Sequence, residues 1–364
     1  MNIDYLLMAH GVVNKKKKPK IMTAVIDQSN SNPLTCVSYE DDAKMMERGS
    51  AKWDGFFGTK LVLFKGGKEV RDLEDAELDS LKPEDGDVMV KFKRMGLHIR
   101  TVGDKVYVSM TNDPDNEDFQ YYAHTRGTTK KDAFYLGAYL GYVVNGKLRS
   151  VTGVTPSGNS TIGAFRTLAQ ANGSGYEQFA FYQLVFVQAM YILKYGNLDA
   201  QTALGAGLTD STNHKYTGNT NGKGVDFGSD DANEQMRFQY LEDLYGNKTQ
   251  WIDGCGTVFY RFWTRTENFN NSFTGYSGFS ANSMSYAYSK TVWGDNDRGF
   301  VGKTSGGSTT TYYCDSCNMS PDESYFPHFG GHTTSKGGAG MFYFSCNFSD
   351  KFSYSHSGAR LMFL

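Results

Sequence analysis

Cys314 and Cys317, a C-x-x-C pair, have the spacing in this chain that most invites chemistry. Such a pair serves either as half of a zinc site or as a redox couple. Zinc needs four ligands, and His328 and His332 are the only donors nearby. With no second pair at metal spacing, the zinc and redox readings are both disfavoured. Asp226, Asp230, Asp231, Asp295 and Asp297 offer clustered oxygens that could hold Ca²⁺. The same residues build Asx turns in loops, and that blander role is favoured. The seven His are dispersed, and neither G-x-S-x-G nor H-E-x-x-H occurs. No catalytic set, resident metal or cofactor is therefore assigned, and the expected chemistry is recognition.

The residues suited to recognition lie in the closing stretch, 330–364. Phe342, Phe344 and Cys346 fall on one face of a period-2 strand, with Tyr343, Ser345 and Asn347 on the other. The alternation predicts the first three buried and the second three facing solvent. A polar, aromatic run then carries Asn347, Phe348, Ser349, Asp350, Phe352, Ser353, Tyr354 and His356. Rigid rings interleaved with short hydrogen-bonding groups are the mix that binding loops use. Gly358 to Phe363 closes the chain as an apolar strand, so the run is a loop between two strands. His332 and Trp293 complete the candidate contact residues.

Several segments together resemble a known family. Gly330-Gly331, the run Ala339 to Phe344, and Gly358 to Phe363 at the end are similar to the C-type-lectin-like variable proteins, related in fold to formylglycine-generating enzymes. Upstream, Tyr240 to Asn247 with Trp251 to Gly254 looks like the family's E-[DN]-L-[WY]-G-N…W-x-D-G segment. Asn197 to Leu208 and Ser305 to Asp315 resemble it as well. The resemblance implies an α+β, C-type-lectin-like domain over 81–364 behind a small β-rich attachment or assembly module over 1–80. It also implies a tail receptor-binding protein of a phage or prophage, its C-terminal surface diversified by a retroelement. Such a protein is made in the bacterial cytoplasm and carried in the virion. Its expected partners are a host cell-surface protein or glycan and other tail proteins, with homo-oligomer formation left open. Mutagenesis of adenines in Asn codons reaches every residue type from Ser345 to His356 except Lys351. Two alternatives stand beside this reading. A formylglycine-generating, sulfatase-modifying type of enzyme would need a reactive cysteine pair where Cys346 stands alone. A purely structural tail protein would need no variable surface.

The elements that must position these residues are readable in part. Lys+Arg 37 against Asp+Glu 39 gives a net charge of −2, so no basic field points to nucleic acid. Five scattered Cys make no disulfide framework, and no apolar run is long enough for a membrane span. Lys15 to Lys20 reads as a solvated basic loop or turn. Strands are expected at 21–27, 88–92, 97–102, 105–110, 134–143 and 256–263, with hairpins at Gly66-Gly67 and Asn145-Gly146. Helices are expected at 159–171 and 179–195, the second apolar nearly all round and therefore buried. Residues 264–324 are long, Gly/Ser/Asn/Tyr-rich and barely periodic. Their many aromatics argue for an ordered loop rather than disorder. Asp243, Asn247, Trp251 and Asp253 are read as scaffold, with capping side chains at a helix end and a Trp under the loops.

Overall fold

The computed structural model describes residues 19–321 and 323–364. Lys15 to Lys18 lie outside the described residues. Three large sheets carry the chain. The first runs Val37–Asp41, Ile21–Asp27, Lys105–Thr111, Gly96–Val102, antiparallel throughout. The second runs Tyr176–Gln178, Leu361–Phe363, Ala133–Gly137, Asp87–Lys93, Lys60–Lys65, Lys68–Asp72. The third has seven strands, in the order Gly302–Ser305, Met284–Val292, Ser316–Met319, Phe344–Phe348, Phe326–Phe329, Thr249–Trp251, Ser357–Gly358.

The helix Phe181–Tyr195 lies buried within one continuous apolar core reaching from Met22 to Leu364. Its one buried cation, Lys194, is neutralised by Asp54 and by Asp226 at 2.7 Å. Gly196 ends the helix in the left-handed conformation (φ 55°), where a side chain is disfavoured. The helix Ile162–Gln170 starts at Thr161, whose hydroxyl accepts from the Ala164 N–H at 3.2 Å. Both expected helices are thus present, each shorter than the sequence pattern suggested.

The α+β expectation is corrected by the content: 36% of the described residues are strand and 14% helix, distributed over several sheets. Much of the surplus strand comes from 264–324, read from sequence as a loop. It supplies Ser277–Ser280, Met284–Val292, Gly302–Ser305 and Ser316–Met319. Register shifts at Met284/Ala287 and Ser289/Thr291 break the alternation there, which erases the period-2 signal. The boundary placed at residue 80 is crossed by ladders. Ile21–Asp27 pairs with Lys105–Thr111, and Lys60–Lys65 with Asp87–Lys93, so strands from both sides of residue 80 share the same sheets. The strand expected over 256–263 is a hairpin, Cys255–Val258 with Arg261–Thr264. No helix among the described residues is long and apolar enough to cross a membrane.

Candidate functional site

The closing loop leaves the seven-stranded sheet at Phe348 and returns to its edge at Ser357–Gly358, which pairs in parallel with Thr249–Trp251. Backbone bonds pin it along its length. The Asn159 N–H donates to the Tyr354 carbonyl (2.9 Å) and the Thr249 N–H to the His356 carbonyl (2.9 Å). Lys248 Nζ donates to the Ser355 carbonyl (2.6 Å). Asn271 Nδ2 reaches Asp350 Oδ2 at 3.3 Å, while Asn271 Oδ1 accepts from Arg166 Nη1 (2.8 Å).

Under the loop, residues distant in sequence stand side by side. Ser345 is paired with Asn318 on one neighbouring strand and His328 on the other, and His328 with Trp251 beyond. Directly opposed residues share a face, and all four are buried. The loop's rings roof this row. His328 lies 4.0 Å from Trp251 and 4.1 Å from Phe348, centroid to centroid. The stack continues through Phe348–Phe352 (4.5 Å), Phe352–Tyr354 (6.2 Å) and Tyr354–His356 (4.9 Å). It runs from a fully buried Trp251 to Tyr354, which is 47% exposed.

This placement sorts the expected contact residues. Phe342, Phe344 and Cys346 are buried as the alternation predicts. Ser345, expected outward, is buried, and its hydroxyl donates to Asn347 Oδ1 (3.0 Å). Its face is closed because the loop folds back over it. Tyr343 and Asn347 are half-buried, and Tyr343 precedes the strand rather than lying on it. Phe348 and Phe352 are half-buried and pack on the core, so they support the loop. Ser349, Ser353 and Tyr354 are exposed, and Asp350 and His356 are half-buried. His332 joins the loop, its ring 4.7 Å from His356. Trp293 does not join it. The Arg298 guanidinium lies 3.6 Å from the Trp293 ring centroid and Lys303 Nζ 5.1 Å from it, beside the four-stranded sheet.

Two contributors escaped the sequence reading. His214 stands 4.6 Å from His356, and Lys248 lies beneath them, 3% exposed. Burial, reinforced by Lys248 and the neighbouring His356, pushes the His214 and His332 imidazoles down to about 4. Burial alone pushes the Lys248 ammonium down to about 8. No local pattern marks His214 or Lys248; only the tertiary gathering does.

The motif from Glu242 to Asp253 is the scaffold of this region, although no helix ends there. Glu242 and Asp243 are fully buried. Glu242 accepts from the Gly218 N–H (2.8 Å) and the Thr220 N–H (2.9 Å) and hydroxyl (2.7 Å). Asp243 accepts from Gln235 (2.7 Å) and Asn247 (2.8 Å), and burial beside Glu242 raises its affinity for a proton. Asp253 takes both arms of Arg166 (2.6 and 2.8 Å). Gly330, at φ 90°, packs where a Cβ would meet the Leu244 carbonyl at 2.4 Å, which explains a glycine there.

The alternative chemistries find no assembly. All five cysteines are buried and free, and burial pushes Cys346 up to about 12. Asp295 Oδ1 accepts from the Asp297 and Arg298 N–H groups, an Asx turn, and Asp226 is bound by Lys194 and Tyr195. Among the described residues no three His, Cys, Asp or Glu are placed to hold a metal ion. The chain matches no protein-family model and no curated protein. The geometry of the closing loop therefore carries the functional reading.

Proposed function

We propose that this chain is a non-enzymatic ligand-binding protein, a receptor-binding protein of a phage or prophage tail, with the closing loop as its contact surface. The observation that carries the reading is the ring stack: an exposed Tyr354 held above a buried Trp251 by His328, Phe348 and Phe352. An aromatic anchor fixed in advance loses little entropy on binding, which is how a few side chains come to dominate affinity. Around it Ser349, Lys351 and Ser353 are exposed and free to vary without touching the core. Its partner is a host cell-surface protein or glycan, and other tail proteins hold it in the virion. A retroelement is the proposed source of variation in the loop. A near-repeat of the closing codons differing only at adenines, beside a reverse-transcriptase gene, is the genomic sign of that.

The enzyme alternative is disfavoured by chemistry. A reactive thiol must ionise and be reached. Cys255 and Cys346 are near enough to influence each other, but both are buried and both thiols are held protonated. The test is the triple variant Lys351→Ala, Ser353→Ala, Tyr354→Ala, labelled and applied to a panel of bacterial cells beside the wild type. The wild type should bind at least one cell surface and the variant none, with melting temperatures within a few degrees. Equal binding by both proteins, or no cell binding by the wild type, overturns the reading.

A further inference from the structure

A 420 Å³ surface pocket adjoins the loop, lined by His214, Lys215, Tyr216, Lys223, Phe227 and Gln235 among others. Its far wall is aromatic: Tyr216 is 61% exposed, and Lys223 Nζ sits 5.1 Å over the half-buried Phe227 ring. Its floor is rigid, because the segment from Gly218 to Thr220 hangs on the buried Glu242 carboxylate. Asn219 Nδ2 is fixed by Gln235 Oε1 (2.6 Å) and the Tyr216 carbonyl (2.8 Å), which leaves its Oδ1 as an acceptor towards a ligand.

The near wall leads into the histidine group. His214 Nδ1 is taken by the Asn247 carbonyl (2.9 Å), His356 Nδ1 by Thr333 Oγ1 (3.4 Å) and His332 Nδ1 by Thr334 (3.3 Å). Among the described residues, Nε2 of each ring has no protein partner. Beneath them Lys248 is buried and, among the described residues, has one carbonyl as its partner and no carboxylate to balance it. Among the described residues Lys215 and Lys223 form no ion pair either, and Glu234 is the one acidic residue lining the pocket. A buried ammonium without a counter-ion is costly. The arrangement suits an incoming anion, which would balance Lys248 and accept hydrogen bonds from the Nε2–H groups of His332 and His356, whose Nδ1 atoms can accept from Thr334 and Thr333. His214, which gives its Nδ1–H to the Asn247 carbonyl, lines the basin without donating to it.

We propose that the basin formed by His214, His332, His356 and Lys248, continuous with the Tyr216–Phe227 pocket, binds an acidic sugar. The anionic group sits at the imidazoles and the apolar face of the ring sits against Tyr216 and Phe227. This rests on reading the closing loop as a contact surface, since His356 belongs to both. It narrows the ligand to a glycan bearing a carboxylate or a sulfate ester.

The test presents the protein with immobilised uronate-, sialate- and sulfate-bearing oligosaccharides, each beside its esterified, desialylated or desulfated counterpart. At least one acidic glycan should be retained, with its neutral counterpart bound ten-fold more weakly or worse. Lys248→Met should lose that preference, and Lys223→Gln, a change at an exposed position, should weaken the acidic glycan alone. Tyr216→Ala should weaken acidic and neutral forms equally. The carboxylate and sulfate arms separate the two sources of charge. Retention of no acidic glycan above its neutral counterpart overturns the proposal. So does inorganic sulfate competing as well, mole for mole, as the sulfated oligosaccharide. If the wild type still adsorbs to cells in a loop-dependent way while no acidic glycan binds, the acidic-sugar assignment falls and the receptor-binding reading stands.

Discussion

His328 sits at the point where the loop meets the core, and its ionisation sets the terms of that contact. It is 2% exposed, its Nε2 has no hydrogen-bond partner among the described residues, and burial, with a smaller effect from His332, pushes its pKa down to about 3. The unfolded ring takes a proton near pH 6.5, the folded one only near 3. The native state therefore loses stability as pH falls through that window, by about 1.4 kcal/mol per pH unit from this group. His328→Phe keeps a ring between Trp251 and Phe348 and removes the proton. Between pH 6.5 and pH 5 the variant should lose about 2 kcal/mol less than the wild type by urea unfolding. Buried acids and His124 titrate in both proteins and cancel in the comparison. Parallel stability curves would mean that the ring is solvated in the native state. The types of Phe348, Phe352, Tyr354 and His356 already pointed to a sticky loop. Which of them support and which contact could not be read, because Trp251 and His328, the rings they stack on, come from other strands of the sheet.

Among the elements, two hairpins with two-residue loops show where sequence reasoning succeeds and stops. Asn145-Gly146 takes positive φ at both positions (51° and 71°), and its residue types announce it. Phe259-Tyr260 makes the same kind of turn, with φ of 51° and 58°, 78% and 64% exposed. Nothing in the types of Phe259 and Tyr260 marks a turn, so the sequence pattern ran one strand through it. Bulky residues are disfavoured in the left-handed region by roughly 1–2 kcal/mol each. Phe259→Asn with Tyr260→Gly should therefore raise unfolding stability by about 1–2 kcal/mol, seen as a higher urea midpoint with unchanged slope. A lower midpoint would show that these aromatics contribute more by contact than the turn costs in strain. The bulged strand Met284–Val292 was illegible for a related reason: a register shift moves apolar residues off the alternation that would reveal them.

At the scale of the whole molecule, the last eight residues join the two largest sheets. Ser357–Gly358 closes the edge of the seven-stranded sheet, and Leu361–Phe363 lies inside the six-stranded one, between Tyr176–Gln178 and Ala133–Gly137. Between them Arg360 is fully buried. Its guanidinium donates to Gln250 Oε1 (2.8 Å) and to the carbonyls of Gly137, Ala138, Glu242 and Asp243 (2.6 to 3.1 Å). The apolar ending was legible as a strand, but its partners were not, because they are separated from it by most of the chain. This places the burden of stability just outside the loop and leaves the loop free to change. Arg360→Lys keeps the charge but cannot reproduce the planar fork, and it strands several buried carbonyls. It should cost roughly 3 kcal/mol or more, whereas Ser349→Ala and Ser353→Ala should each stay within about 0.5 kcal/mol. Chemical unfolding of the three variants decides it. If Arg360→Lys is tolerated while the serine changes unfold the protein, the loop is part of the scaffold. A contact surface that varies independently of the fold would then have to lie elsewhere.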